Sequence, residues 1–277
     1  MNSTGWQYYN HAAIPAGWPH EMPDLTPVRD GSIWKMDGKP LFARWTEDFD
    51  CGEETEFYYC IKDTGLDISA LKAKRRYEIN RGNKNYEVRL IRAEAYAQEL
   101  YDVYVDSLNG YPDHPVPVPM ETFSSQVSAW MGVDCALFGA FERETGRLCG
   151  YSDVWLHDRY LPISSLVTRP SCEKSGVNFA LVSGIITHFS EDLSRGAYLC
   201  DGARNILHET NFQSFLIKYF EFRKAYCHLR IRYRPGVGLI VRCLFPFRKW
   251  FASVGGSLGR AVTAVLKMEA WQRGLPE

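Results

Sequence analysis

Hydrophobic and polar positions change period several times between Tyr160 and Arg232, and each change falls at a Gly, Pro or Asn. Leu161 to Thr168 is a short apolar run stopped by Pro170, which lacks a backbone donor and cannot continue a central strand. It predicts a strand over Tyr160–Thr168. From Val177 the spacing turns helical. Val177, Ala180, Leu181, Gly184 and Ile185 share one face while Phe179, Val182, Ile186 and Phe189 line a second, which predicts a helix sandwiched inside the protein. Tyr198–Asp201 reads as a second short strand, Asn211–Phe220 as a helix, and Phe222–Tyr233 as a strand with partial alternation.

Upstream, Glu87–Arg92 alternates Val88 and Leu90 against Arg89 and Ile91 and predicts a strand. The next helix carries Ala97, Leu100, Tyr101, Tyr104 and Leu108 on one face and stops at Asn109-Gly110. Four prolines between Pro112 and Pro119 forbid a helix and predict a stiff extended loop. A second helix follows over Glu121–Met131. Cys135–Glu142 and Leu148–Leu156 then form a hairpin that turns at Gly146. Nearer the N-terminus, Phe57–Ile61 reads as a strand, and Asp67 offers N-cap chemistry to a helix with Leu71, Tyr77 and Ile79 that ends near Gly82. Met1 to Pro40 has no helical or strand period, but its Trp and Tyr predict a segment that wraps over the body. Beyond Pro235 the pattern predicts two amphipathic helices joined at Gly255-Gly256, packed on the body or on a second subunit as in a homodimer. The alternative is a basic, aromatic helix lying on a membrane surface through 236–270. No apolar run approaches the roughly 18 residues a membrane span needs. These patterns divide the chain into an N-terminal extension (1–86), a central domain (87–234) and a helical C-terminal segment (235–277).

A chain of 277 residues, 45% of them hydrophobic, can bury a sizeable core without staples. Its net charge of -1 argues against a surface that coats DNA, although acidic residues gather from Glu47 to Glu56 and basic ones from Lys72 to Arg92. The eight cysteines contain no C-x-x-C pair and the seven histidines do not gather near them, so no metal site is expected. No apolar leader opens the chain, and free thiols fit a reducing cytoplasm.

The order strand, helix, helix, three strands, helix, strand, helix, strand resembles the GNAT-like acyl-CoA N-acyltransferases. More narrowly it resembles the branch holding the FemAB-type aminoacyl transferases, to which ISALKAKRRYEINRGNKNYEVRLI is also similar. The resemblance implies an α/β (α+β) fold with a mixed, mostly antiparallel central sheet flanked by helices. The family's turn P-x-x-[Q/R]-x-x-G-x-[G/A], which holds the pyrophosphate of coenzyme A on backbone amides, is matched by Pro170, Glu173, Gly176 and Asn178. Glu173 and Asn178 depart from that pattern. The segment Asn211, Phe215, Leu216, Tyr219 resembles the family's N-x-x-A…Y segment, with Glu221 in place of a Gly.

The resemblance implies an acyl-CoA donor, such as acetyl-CoA, held by Leu166, Val167, Thr168, Ser171, Lys174, Ser175, Gly176, Val177, Asn178 and Asn211. Tyr111, Asp113, His114 and Arg204 are the implied contacts to a small-molecule amine acceptor such as an amino sugar. The acyl arm would enter where strands 160–168 and 198–201 splay, with Ser164-Ser165 as a bulge. Asp201, His208 and Glu209 form the acid/base reservoir after the second strand, Asp153 is a second candidate base, and Tyr219 or Tyr226 could protonate the leaving group. Each of these residues has a purely structural reading as a cap, surface ion pair or core aromatic. Cys200 is a small buried strand residue or, with His208, a nucleophile. Two further functions stay open: a FemAB-like transferase using charged tRNA, and a non-catalytic binding module of the same fold.

Overall fold

A computed structural model of the protein describes residues 5–111, 115–206, 211–254 and 256–275, without the side chains of 257 and 258. The strands, in chain order, are β1 (Trp6–Tyr9), β2 (Ala12–Pro15), β3 (Phe42–Glu47), β4 (Phe57–Lys62), β5 (Tyr86–Leu90), β6 (Cys135–Glu142), β7 (Leu148–Trp155), β8 (Tyr160–Thr168), β9 (Tyr198–Ala203) and β10 (Arg223–Tyr233). The helices of the first half are α1 (Thr26–Asp30), α2 (Ala73–Asn85), α3 (Ala97–Leu108) and α4 (Met120–Trp130). Those of the second half are α5 (Pro170–Glu173), α6 (Val177–His188), α7 (Ser190–Ser194), α8 (Asn211–Phe220), α9 (Val237–Leu244), α10 (Arg248–Phe251) and α11 (Gly256–Gln272). The fold class is the expected one, a mixed α/β protein with mostly antiparallel strands.

Two compact units share the chain: Met1–Cys60 with Ala203–Asn211 and Lys224–Glu277, and Ile61–Gly202 with Phe212–Arg223. In the second unit the strands run in the order β9-β8-β7-β6-β5, antiparallel except for β8 with β9. Leu137, Phe141, Leu148 and Tyr151 face one side, where Leu100 and Val103 of α3 and Phe123 and Val127 of α4 close a core. Alternation sends Phe138 to the other side, where it meets His188 and Phe189 at the end of α6. The two apolar faces of α6 follow from its place there: Val177, Leu181, Val182, Ile185 and Ile186 are all fully buried.

Helix α2 lies on α6 backbone to backbone. A Cβ added at Gly82 would stand 2.6 Å from the Gly176 carbonyl oxygen and 2.9 Å from the Ala180 nitrogen, so only glycine lets the helices come this close. The side chains beside the contact lock it. Asn85 Nδ2 donates to the Ser175 carbonyl at 2.9 Å, and the Tyr86 and Ser175 hydroxyls meet at 2.5 Å.

In the first unit β1 and β2 pair antiparallel, β2 and β3 parallel, and β3 and β10 antiparallel. Phe42, Phe57, Leu229, Ile231, Met268 and Trp271 make its main core. Three strands here, β1, β2 and β3, were not predicted from sequence. The first two are four residues long, too short for a period of two to register, and they join through Asn10 and His11 with φ of 45° and 64°. That left-handed pair makes a tight hairpin turn, of which only the Asn is a sequence signal. Gly82→Ala should cost about 1–3 kcal/mol of stability despite the better helix propensity of Ala, because a methyl group must separate α2 from α6. Urea denaturation followed by circular dichroism measures it.

Candidate functional site

Strand β8 is held differently on its two edges. Toward β9 it makes three parallel register pairs, Tyr160–Tyr198, Leu161–Leu199 and Pro162–Cys200. Pro162 has no N–H to continue the ladder, and beyond it the two strands share no register pair among the described residues. Toward β7 the pairing continues to Thr168, with a register shift that places Ile163 opposite Val154 and Ser165 opposite Asp153. Ser164 is the extra, exposed residue of that bulge.

Asp153 explains which edge wins. Its carboxyl group is 2% exposed, accepts from the Ser165 hydroxyl, and accepts from Trp155 Nε1 at 2.9 Å. Ser152 Oγ donates to the Ser165 carbonyl at 2.6 Å. A buried carboxyl demands such partners, and both of its donors lie on β7 and β8. Asp153 thus pins the bulged part of β8 to β7, where β9 has already lost its partner.

Asp201 follows Cys200 on β9, one residue past the last pair. Burial pushes its carboxyl from 3.8 up to about 7, against a hydrogen bond from Gln213 that acts the other way. Gln213 is buried on α8. A carboxyl group poised near neutrality beside an opened strand pair is suited to accept and return a proton. Cys200 next to it is fully buried, receives the Gly202 N–H at 3.2 Å, and has its thiol pushed up to about 12 by burial. It stays protonated, as a structural thiol does.

The turn after β8 is not an open loop. Pro170 starts the single turn α5, and the amides of Cys172, Ser175 and Gly176 donate to the carbonyls of Arg169, Cys172 and Glu173. Gly176, with φ of 96°, leads into α6 and sits under Gly82. Gly176 and Val177 are buried; Ser171, Glu173 and Lys174 are exposed; Ser175 and Asn178 are half-buried. The Thr168 hydroxyl donates to Asn178 Oδ1 at 2.9 Å, tying the end of β8 to the first turn of α6. No side chain caps α6, so the amides of Val177 and Asn178 open the helix without an intrahelical acceptor. Arg169 donates to the Leu148 carbonyl at 3.0 Å and pairs with Asp106. Leu166 and Val167 are half-buried on the opened part of β8 and Thr168 is buried.

The other candidates fall elsewhere. Tyr219 is half-buried in an aromatic cluster, its ring 5.0 Å from Phe179 and 5.5 Å from Phe215. Tyr226 donates to Glu54 Oε1 at 3.0 Å. Asn211 is exposed at the start of α8, and Tyr111 is exposed after α3. Arg204 belongs to the first unit, where it donates to the Glu56 carbonyl at 2.6 Å and lies over the Trp271 ring at 4.5 Å. Asp113, His114, His208 and Glu209 lie outside the described residues. Among the described residues no group of His, Cys, Asp and Glu is arranged to hold a metal ion. A separate hollow of about 360 Å³, lined by Asn83, Arg89, Arg143, Ser183 and His188, contains none of the predicted residues. Gln213 was missed from sequence. Its signal was there: it shares the helical stripe of Leu216 and Phe220, and a polar residue on a buried stripe needs a partner.

No protein-family model and no curated protein matches this sequence. Solved structures do match. L-PGS from Bacillus licheniformis is similar at 13% identity and TM-score 0.52, over 88% of this chain and 84% of that one. The C-terminal domain of a putative lysylphosphatidylglycerol synthetase from Agrobacterium fabrum is similar at 10% identity and TM-score 0.50, over 86% and 82%. A protein of unknown function from Bacteroides thetaiotaomicron gives 12% identity and TM-score 0.51, over 79% and 78%. The fold is GNAT-like. At these identities the likeness concerns architecture alone.

Two outcomes follow from the two carboxyl groups. Asp201 binds its proton more tightly folded than unfolded, so its contribution to stability is complete below 3.8 and is lost as pH rises through about 7. Wild type should therefore weaken over that window relative to Asp201→Asn in chemical denaturation at stepped pH. Asp153→Ala should cost about 1–3 kcal/mol, since it strands two half-buried donors, Ser165 and Trp155, and the same denaturation at neutral pH reads it.

Proposed function

We propose that the chain transfers an activated aminoacyl group to an amine acceptor at the parting of β8 and β9, with Asp201 as the proton acceptor. The observation that carries this reading is the carboxyl raised to about 7 one residue beyond the last β8–β9 pair. The acceptor amine attacks the carbonyl carbon of the donor. A C–N bond forms, one amine proton goes to Asp201, and the donor's C–O bond breaks with the alkoxide oxygen taking a proton back. Unpaired backbone of β8 beyond Pro162 supplies N–H groups of the kind that stabilise the transient oxyanion.

The turn supports an ester of tRNA as donor. A coenzyme A pyrophosphate would need the amides around Gly176, but three turn amides donate internally and Gly82 covers Gly176. Glu173 adds an exposed carboxylate. Helix α2, which packs on α6 through Gly82, and the residue before it expose Lys72, Lys74 and Lys84, a pattern suited to a polyphosphate backbone. The choice of an aminoacyl donor is prompted by the architecture shared, over 86% of this chain, with the C-terminal domain of a putative lysylphosphatidylglycerol synthetase. A second reading, acyl-CoA as donor, has its own support in the uncapped amides of Val177 and Asn178.

Asp201→Asn should lower the rate of aminoacyl transfer at least about 100-fold, with the amino acid in the product followed by radiolabel. Full activity in that variant would remove Asp201 from the chemistry. Filter binding decides between donors. Total aminoacyl-tRNA should bind with a steep salt dependence that the triple change K72Q/K74Q/K84Q flattens. Binding of acetyl-CoA in its absence would turn the reading to the thioester.

A further inference from the structure

From Phe222 to Met268 the chain holds ten Lys or Arg and no Asp or Glu, within a protein of net charge -1. The next acid, Glu269, is buried and committed to Tyr233 and Arg273 at 2.7 and 2.8 Å. The helical part of this stretch folds as α9, a Pro246-broken turn, α10 and α11. Val241 and Phe245 turn inward onto Leu266 and Ala270. What remains outside is both apolar and cationic. Leu239 is 69% exposed, Ile240 59%, Phe247 60% and Trp250 64%, interleaved with exposed Arg242 and Lys249. Beside Trp250 a groove of about 220 Å³ has Leu266 and Ala270 in its lining and Arg248, Lys249 and Lys267 at its rim.

Large apolar side chains left in water at four places in twelve residues are a cost to a free surface. Cations set among them specify what removes that cost. A neutral apolar protein face would leave Arg242, Arg248 and Lys249 desolvated without partners. A nucleic acid would satisfy the cations but offer nothing for Leu239 and Ile240, which cannot stack on bases. An anionic lipid surface satisfies both, since phosphates meet the Lys and Arg while Trp, Phe, Leu and Ile enter the boundary of the acyl chains. Among the described residues no helix is long and apolar enough to cross a membrane, so the contact is peripheral. We infer that α9 and α10 dock this protein on an anionic membrane surface, with Leu239, Ile240, Phe247 and Trp250 inserted and Arg242, Arg248 and Lys249 on the phosphates. This does not rest on the proposed transfer reaction.

The test is sedimentation of the full chain with vesicles of phosphatidylcholine alone, or of phosphatidylcholine and phosphatidylglycerol in equal amounts. The chain should pellet with the mixed vesicles, stay in solution with the neutral ones, and be released by high salt. R248Q/K249Q should weaken binding about 30-fold, at about fivefold per charge. L239S/W250S keeps the charge and should weaken it about tenfold or more. Matching thermal melts of the variants exclude unfolding. The inference is overturned by no binding to the mixed vesicles, by equal binding to neutral ones, or by full binding of L239S/W250S. It is likewise overturned if total tRNA binds this segment, as read by loss in R248Q/K249Q, while vesicles do not.

Discussion

A buried carboxyl group and a missing amide decide how the central strands of the second unit are joined. Asp153 sits almost without solvent and takes the Ser165 hydroxyl and the Trp155 indole, which fastens β8 to β7 across a bulge at Ser164. Pro162 ends the ladder on the opposite edge. A strand has two rows of backbone groups, and here one row stays satisfied by β7 while the other is released. The opening therefore comes from two residues nine positions apart, Asp153 on β7 and Pro162 on β8.

The consequence is electrostatic. Asp201 lies half-buried at the edge of the opening, where burial raises its proton affinity and the hydrogen bond from Gln213 opposes it, so its proton is held to about neutral pH. The thiol beside it is enclosed more completely and is held protonated. Two neighbours on one strand thus have opposite prospects: one exchanges a proton under ordinary conditions and the other does not. On the far side of β8 the turn into α6 is consolidated by its own hydrogen bonds and by the Gly82–Gly176 contact, which gives it the character of a rigid support.

Elements with long periods were legible in the sequence. The two-faced pattern of α6, the alternation in β10 and the hairpin at Gly146 all fall where the hydrophobic spacing put them. Short elements were not, because β1 and β2 offer four residues each and depend on an Asn-His turn. At the site, Asp201 and Asp153 could be named from their strands, but their different roles could not. Burial and partners set those roles, and the partners, Gln213 and Ser165, come from elements distant in sequence. The turn after Thr168 shows the same limit. Its residue types suggested exposed amides, whereas the winding of α5 and the approach of α2 depend on tertiary packing that no local pattern encodes.

Proton exchange at the strand opening depends on the protonation of one side chain, Asp201. Carbon-13 resonances of aspartate carboxyl groups, followed through pH and assigned by loss of a signal in Asp201→Asn, report it directly. The structure predicts one carboxyl that titrates with a midpoint about 7 and is absent from the variant. An Asp201 signal that titrates near 3.8 would mean a solvated carboxylate and would contradict an enclosed, proton-exchanging group at the strand opening.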